Sequence, residues 1–113
     1  MPFIDLRTTV PAAPAQREAL KTAFGQVITA LHKTETYLMV SIQDSCELWL
    51  GGRKLEKGAY VAVSLYGSAG AGDYNRMTGL VCAILSEHLG IPADAVYVTY
   101  HPVSDWGWNG RNF

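Results

Sequence analysis

The sequence predicts an α/β (α+β) fold in which two β-α-β units share one four-stranded mixed sheet, with two helices on one face. Three observations predict it. Apolar and other residues alternate in four separate stretches, the period of strands with one side toward a core. Between the first and second stretches, and again between the third and fourth, apolar residues recur with the spacing of an amphipathic helix. The plan repeats with Tyr37 matched to Val96, so a strand-helix-strand unit occurs twice.

Ile4, Leu6 and Thr8 alternate with Phe3, Asp5 and Arg7 in the first strand, and Pro2 falls in step with the core-facing set. Val10-Pro11-Ala12-Ala13-Pro14 breaks that period, after which Leu20, Phe24, Val27, Ile28 and Leu31 predict a first helix over Ala15 to Leu31. Period two returns from Tyr37 to Gln43, with Leu38, Val40 and Ile42 on one side. Leu48-Trp49-Leu50 reads as a short strand ending at Gly51-Gly52, and Arg53 to Lys57 as a surface loop. In the second unit Val61, Val63 and Leu65 alternate with Tyr60, Ala62, Ser64 and Tyr66. A glycine-containing loop leads into a helix capped by Asp73, striped by Met77, Leu80, Val81, Ile84, Leu85 and Leu89, and stopped by Gly90 and Pro92. Val96, Val98 and Tyr100 alternate with Tyr97, Thr99 and His101 in the last strand. Right-handed crossovers make the two strands of each unit parallel.

A chain of 113 residues that is 49% hydrophobic is read as one domain over residues 1–113, with a real core. Helices on one face leave Phe3, Met39, Tyr60 and Ala62 on the other, so self-association is expected, a cyclic trimer being one closed solution. Nine basic residues against ten acidic ones, with no basic run, argue against nucleic acid or an anionic membrane as partner. No charged leader precedes an apolar run, and no stretch approaches the roughly 18 apolar residues of a membrane span, so a cytoplasmic protein is expected. Cys46 and Cys82 form neither a C-x-x-C motif nor a metal-ligand spacing, and Cys82 reads as a buried small hydrophobe. His32, His88 and His101 also lack ligand spacing, so no metal or organic cofactor is expected.

The chemistry is concentrated at the N-terminus. Removal of Met1 turns Pro2 into a free secondary amine on a rigid ring. The reference α-amino pKa is about 7.7 to 8.0 and burial lowers it, so such a nitrogen serves as a neutral base near pH 7. While Met1 stays attached, the Pro2 nitrogen is a tertiary amide with no usable lone pair. Lys33, read alone, is a solvated cation near a helix end, favourable to the dipole. The tail from His101 to Phe113, with Trp106 and Trp108, suits either a strap on the core or a neighbouring subunit, or an aromatic wall for a planar ligand.

Pro2-Phe3-Ile4, Val10-Pro11, His32-Lys33, Tyr37, Gly51-Gly52, Asn75-Arg76, Pro92, Val96-Tyr97-Val98 and Gly107-Trp108-Asn109-Gly110 with Phe113 stand in a telling order. In that order and near-register they resemble the macrophage migration inhibitory factor family of the tautomerase superfamily, over essentially the whole chain. The resemblance implies a homotrimer of duplicated β-α-β subunits, in which short strands extend neighbouring sheets and active sites lie between subunits. It implies keto-enol tautomerisation of a small phenylpyruvate-like α-keto acid, with Pro2 as the proton shuttle and Lys33 holding the carboxylate or carbonyl oxygen. By the same resemblance Tyr37 lines the pocket, Tyr97 and Thr99 reach in from a neighbouring subunit, and Trp108 and Phe113 form an aromatic mouth.

Departures from the family pattern fall around that pocket. Thr99 stands where vertebrate members carry an asparagine, Ser68 replaces an apolar wall residue, and Trp106 replaces a smaller aliphatic. These alter the volume and polarity of the site and hence the choice of substrate. The family's C-x-x-C motif is missing, which removes any argument for thiol-disulfide chemistry. The resemblance also carries two other functions. One is a cytokine-like protein that binds a cell-surface receptor after secretion by a route without a signal peptide. The other is a further reaction of the superfamily, such as decarboxylation of a small keto acid, for which Arg7 and Arg76 are the arginines at hand.

Overall fold

The computed structural model describes residues 1–113, and its elements follow the doubled plan. The first unit is β1 (Pro2–Thr8), α1 (Pro14–Val27) and β2 (Met39–Gln43). A small hairpin, β3 (Trp49–Leu50) and β4 (Arg53–Lys54), joins it to the second unit of β5 (Ala59–Tyr66), α2 (Ala71–Leu89) and β6 (Val96–Val103). The tail closes as another hairpin, β7 (Gly107–Trp108) and β8 (Arg111–Asn112). Within the sheet the order is β2-β1-β5-β6. Each unit contributes a parallel pair, and β1 runs antiparallel to β5 where the units meet.

Register explains the core. Ile4 sits opposite Val63 and Leu6 opposite Val61, and all four are fully buried. Leu20 and Phe24 of α1 and Met77, Val81 and Leu85 of α2 pack on the same cluster. Burying a side chain of this size is worth about 1.5–3 kcal/mol, so this two-layer contact is the main force holding helices to sheet. Thr8, the buried polar residue among them, donates its Oγ1 hydrogen to Gly58 O at 2.9 Å, which removes the penalty for its burial. Arg17 ties the start of α1 to the end of β2 through Ile42 O and the Asp44 carboxylate, both at 2.9 Å. No helix is long and apolar enough to cross a membrane.

Several boundaries differ from the sequence expectation. The first helix is α-helical only to Val27, and Ile28–Leu31 tightens into a 3-10 turn. The β-branched run Val27-Ile28-Thr29 weakens the helix there, although Ile28 and Leu31 stay in the core. The second strand begins at Met39, not Tyr37, because Met39 pairs with Phe3 and the residue before it, Pro2, has no N–H to carry the ladder further. Glu35–Tyr37 forms a 3-10 turn instead, so Tyr37 is a turn residue. Arg53 and Lys54 pair across Gly51 and Gly52, whose φ of 60° and 80° makes the two-residue turn that matches strand twist. Gly70, not Asp73, occupies the cap position of α2, and Asp73 accepts the Gly70 N–H from the first turn at 3.3 Å. Cys82 is half-buried, and its thiol pKa is pushed up by that burial.

Candidate active site

A cavity of about 760 Å³ opens at one end of the sheet, within the range of small-molecule sites. The topology builds it. Residues Met1 to Phe3 begin β1, and Met39 begins the parallel strand β2, so the two starts lie side by side. β5 and β6 arrive from the opposite direction and bring their ends, Ser64 and Val103. The 3-10 turn adds Thr36 and Tyr37, and the tail adds Trp106 and Trp108. The lining is mostly apolar, which is what lowers the pKa of an amine placed inside it.

Pro2 is buried in this lining, opposite Leu65. Met1 continues the ladder by accepting the Tyr66 N–H at its carbonyl, 2.9 Å away. The α-amino group of Met1 has its pKa lowered, first by burial and then by the charge of Lys33. Lys33 follows the turn at the end of α1, its Nζ donating to Tyr66 O at 2.8 Å, on the residue whose N–H pairs with Met1. An amine at this end of the chain is thus held toward its neutral form, with a cation beside it.

The tail is both strap and wall. Trp108 meets Tyr37 edge to face, with ring centres 5.5 Å apart, and stacks on Phe113 at 6.2 Å. Phe113 in turn packs on Tyr66 at 5.7 Å, which pins the hairpin to the end of β5. Asn109 and Gly110 both have positive φ, 54° and 82°, and so form the turn of this hairpin. Phe113 stands behind Trp108 and does not line the cavity.

Of the residues singled out from the sequence, Pro2, Tyr37, Trp106 and Trp108 come together around one opening, while Lys33 lies outside the lining and acts on it through its charge at the Met1 amine. Ser68 does not join them, because the loop after β5 turns outward and leaves it exposed. Tyr97 and Thr99 also lie elsewhere within a single chain. They sit on the open face of β6, opposite Tyr60 and Ala62, with Tyr97 63% exposed. Thr99 Oγ1 is held at 2.7 Å from Tyr60 Oη and 2.8 Å from His101 Nε2. Thr36, Leu38, Met39, Ser64, Val103 and Gly107 complete the lining and are not site candidates from sequence. Register is the signal that finds two of them, since Phe3 pairs with both Met39 and Ser64 in one row across the sheet.

The doubled β-α-β chain, one four-stranded mixed sheet with two helices on one face and an apolar cavity at the start of β1, defines an α/β class of fold. The family model for macrophage migration inhibitory factor matches residues 1–113, and this chain belongs to that family. The fold is similar to that of Leishmania major MIF2, with a TM-score of 0.93 and 31% identity over 100% of this chain and 97% of that one. In sequence the chain is 29% identical to the macrophage migration inhibitory factor homolog of Trichuris trichiura, covering both fully. It is also 27% identical to mouse D-dopachrome decarboxylase, over 94% of this chain and 90% of that protein.

Proposed function

We propose that the chain, once Met1 is removed, is a keto-enol tautomerase for arylpyruvate-like α-keto acids. The observation that carries this reading is the buried position of Pro2 in an apolar cavity, with the Lys33 ammonium close enough to depress the pKa of a neighbouring amine. The Pro2 nitrogen takes the enol O–H proton, leaving an enolate whose oxygen electrons close the C=O bond as the C=C electrons turn to carbon to form the new C–H bond. The proton that carbon receives is the one now on the Pro2 nitrogen, which returns to its neutral form, so the net change is a 1,3-proton shift with no other reactant. Lys33 holds the carboxylate and offsets negative charge on the oxygen as it develops. Tyr37, Trp106 and Trp108 bound the aryl ring.

The active form in this reading is a homotrimer. The open sheet face, with Met39 68% and Tyr97 63% exposed, needs cover, and Asp5 Oδ1 on that face is buried with no hydrogen-bond partner. Neighbouring copies supply the cover and bring Tyr97 and Thr99 to each other's cavities. The likeness to D-dopachrome decarboxylase favours decarboxylation of a small keto acid as the second reading.

The test is the enol-to-keto conversion of phenylpyruvate by processed protein, followed by ultraviolet absorbance, with intact mass to establish loss of Met1. Pro2→Gly is expected to lower the rate by about 100-fold or more. A rate unchanged in Pro2→Gly removes the proposed base. Product that has lost carbon dioxide moves the assignment to the second reading.

A further inference from the structure

We infer that His32 and Asp73 are positioning residues, a side-chain clip that aims Lys33 at the cavity. The inference rests on the reading above that Lys33 holds the substrate carboxylate.

The clip starts from backbone geometry. His32 closes the 3-10 turn after α1, donating its N–H to Thr29 O at 2.9 Å, and it does so with φ 62° and ψ 31°. A residue with a side chain is disfavoured in this left-handed region, so something else must hold it there. Its imidazole reaches across to the start of α2, where Nε2 lies 3.2 Å from Asp73 Oδ2. A carboxylate only accepts, so Nε2 carries the proton. The same Asp73 oxygen takes the Gly70 N–H at 3.3 Å, which fixes the carboxylate relative to the loop leading into α2.

Lys33, the next residue, makes the second rung. Its Nζ donates to Tyr66 O at 2.8 Å, at the end of β5. The segment from Tyr66 to Asp73 is therefore caught at both ends by two consecutive side chains, Lys33 at one and His32 at the other. An ammonium has three donors, and Lys33 commits one to Tyr66, which leaves the remaining two for an incoming carboxylate. Without His32 in place, the left-handed turn is free to relax and the lysine stem loses its fixed origin. The His32 side chain is 75% exposed, so the pair adds little to fold stability, and its loss is read at Lys33 rather than in unfolding.

Processed protein with the enol of an arylpyruvate and its uncharged methyl ester, assayed side by side, tests the clip. His32→Asn keeps a residue tolerant of the left-handed region but removes the imidazole, and it is expected to raise KM for the acid by about twofold to fivefold. The ester KM and both kcat values stay near those of the parent protein. Asp73→Ala approaches the same contact from the other side and gives the same pattern, while Asp73→Asn, which keeps an acceptor oxygen, loses less. In a Lys33→Ala background His32→Asn has no further effect, because it acts through that lysine. Equal shifts for acid and ester, no shift in either clip variant, or additivity with Lys33→Ala overturns the inference. If Lys33→Ala itself fails to separate acid from ester, the anion-holding role of Lys33 falls first and the clip with it.

Discussion

On the helix-covered side of the sheet, Ile4, Leu6, Val61 and Val63 are fully buried and the polar groups among them are paired. Thr8 donates to Gly58 O, and the Tyr100 hydroxyl donates to Tyr74 O at 3.0 Å. On the opposite side, the same strands present Phe3, Asp5, Arg7, Tyr60 and Tyr97, and there Asp5 Oδ1 is out of water without a donor. One face is finished within the chain and the other is not. The difference separates two tasks: one face determines whether the chain folds, and the other determines what the folded chain joins.

Mutating one residue on each face breaks or sharpens that contrast. Phe24→Ala empties the centre of the covered side and is expected to lose about 3–5 kcal/mol in urea unfolding. Tyr97→Ala on the open side should stay within about 0.5 kcal/mol for the separated chain. Similar losses for the two variants would mean that the open face also contributes to folding of the single chain.

A smaller effect belongs to Asp5. In the trimeric reading its orphan oxygen finds a donor on another copy, so Asp5→Ala should raise the concentration at which copies separate by roughly tenfold. Sedimentation across a dilution series measures this. An unchanged dissociation profile would leave the carboxylate without an intermolecular role.

The smallest effect is on the covered side and concerns pH. Burial raises the pKa of the Cys82 thiol from an ordinary value of 9.0, and burial likewise raises that of Tyr100 from 10.0. Folded protein therefore keeps protons that the unfolded chain releases. The stabilisation is fully present below pH 9.0 and is lost as pH climbs through the raised values. Unfolding midpoints should fall above pH 9.0, and Cys82→Ala should flatten part of that slope.

Local pattern revealed the strands because each has one wet and one dry side, and alternation survives without knowledge of any partner. The same alternation includes Tyr37, yet a strand residue also needs a neighbour, and the β1 ladder to β2 stops at Phe3 because Pro2 has no N–H. The Asn109-Gly110 pair carried a hairpin signal that the aromatic content of the tail obscured. The family likeness puts Ser68 on the cavity wall, but it lies exposed outside the lining, because the direction of a loop depends on how its ends are pinned. Here Lys33 pins one end and Asp73 the other.

The sequence by itself determined the doubled strand-helix-strand plan, the core-facing set and the candidate role of Pro2, since periodicity and the chemistry of an N-terminal proline are local properties. Only the tertiary structure decided that Tyr37, Trp106, Trp108 and Pro2 share one opening, and that Tyr97 and Thr99 lie on a different surface of the same chain. Which side chains meet depends on register and strand direction. Those are set by long-range pairing between β1 and β5, which no window along the chain contains.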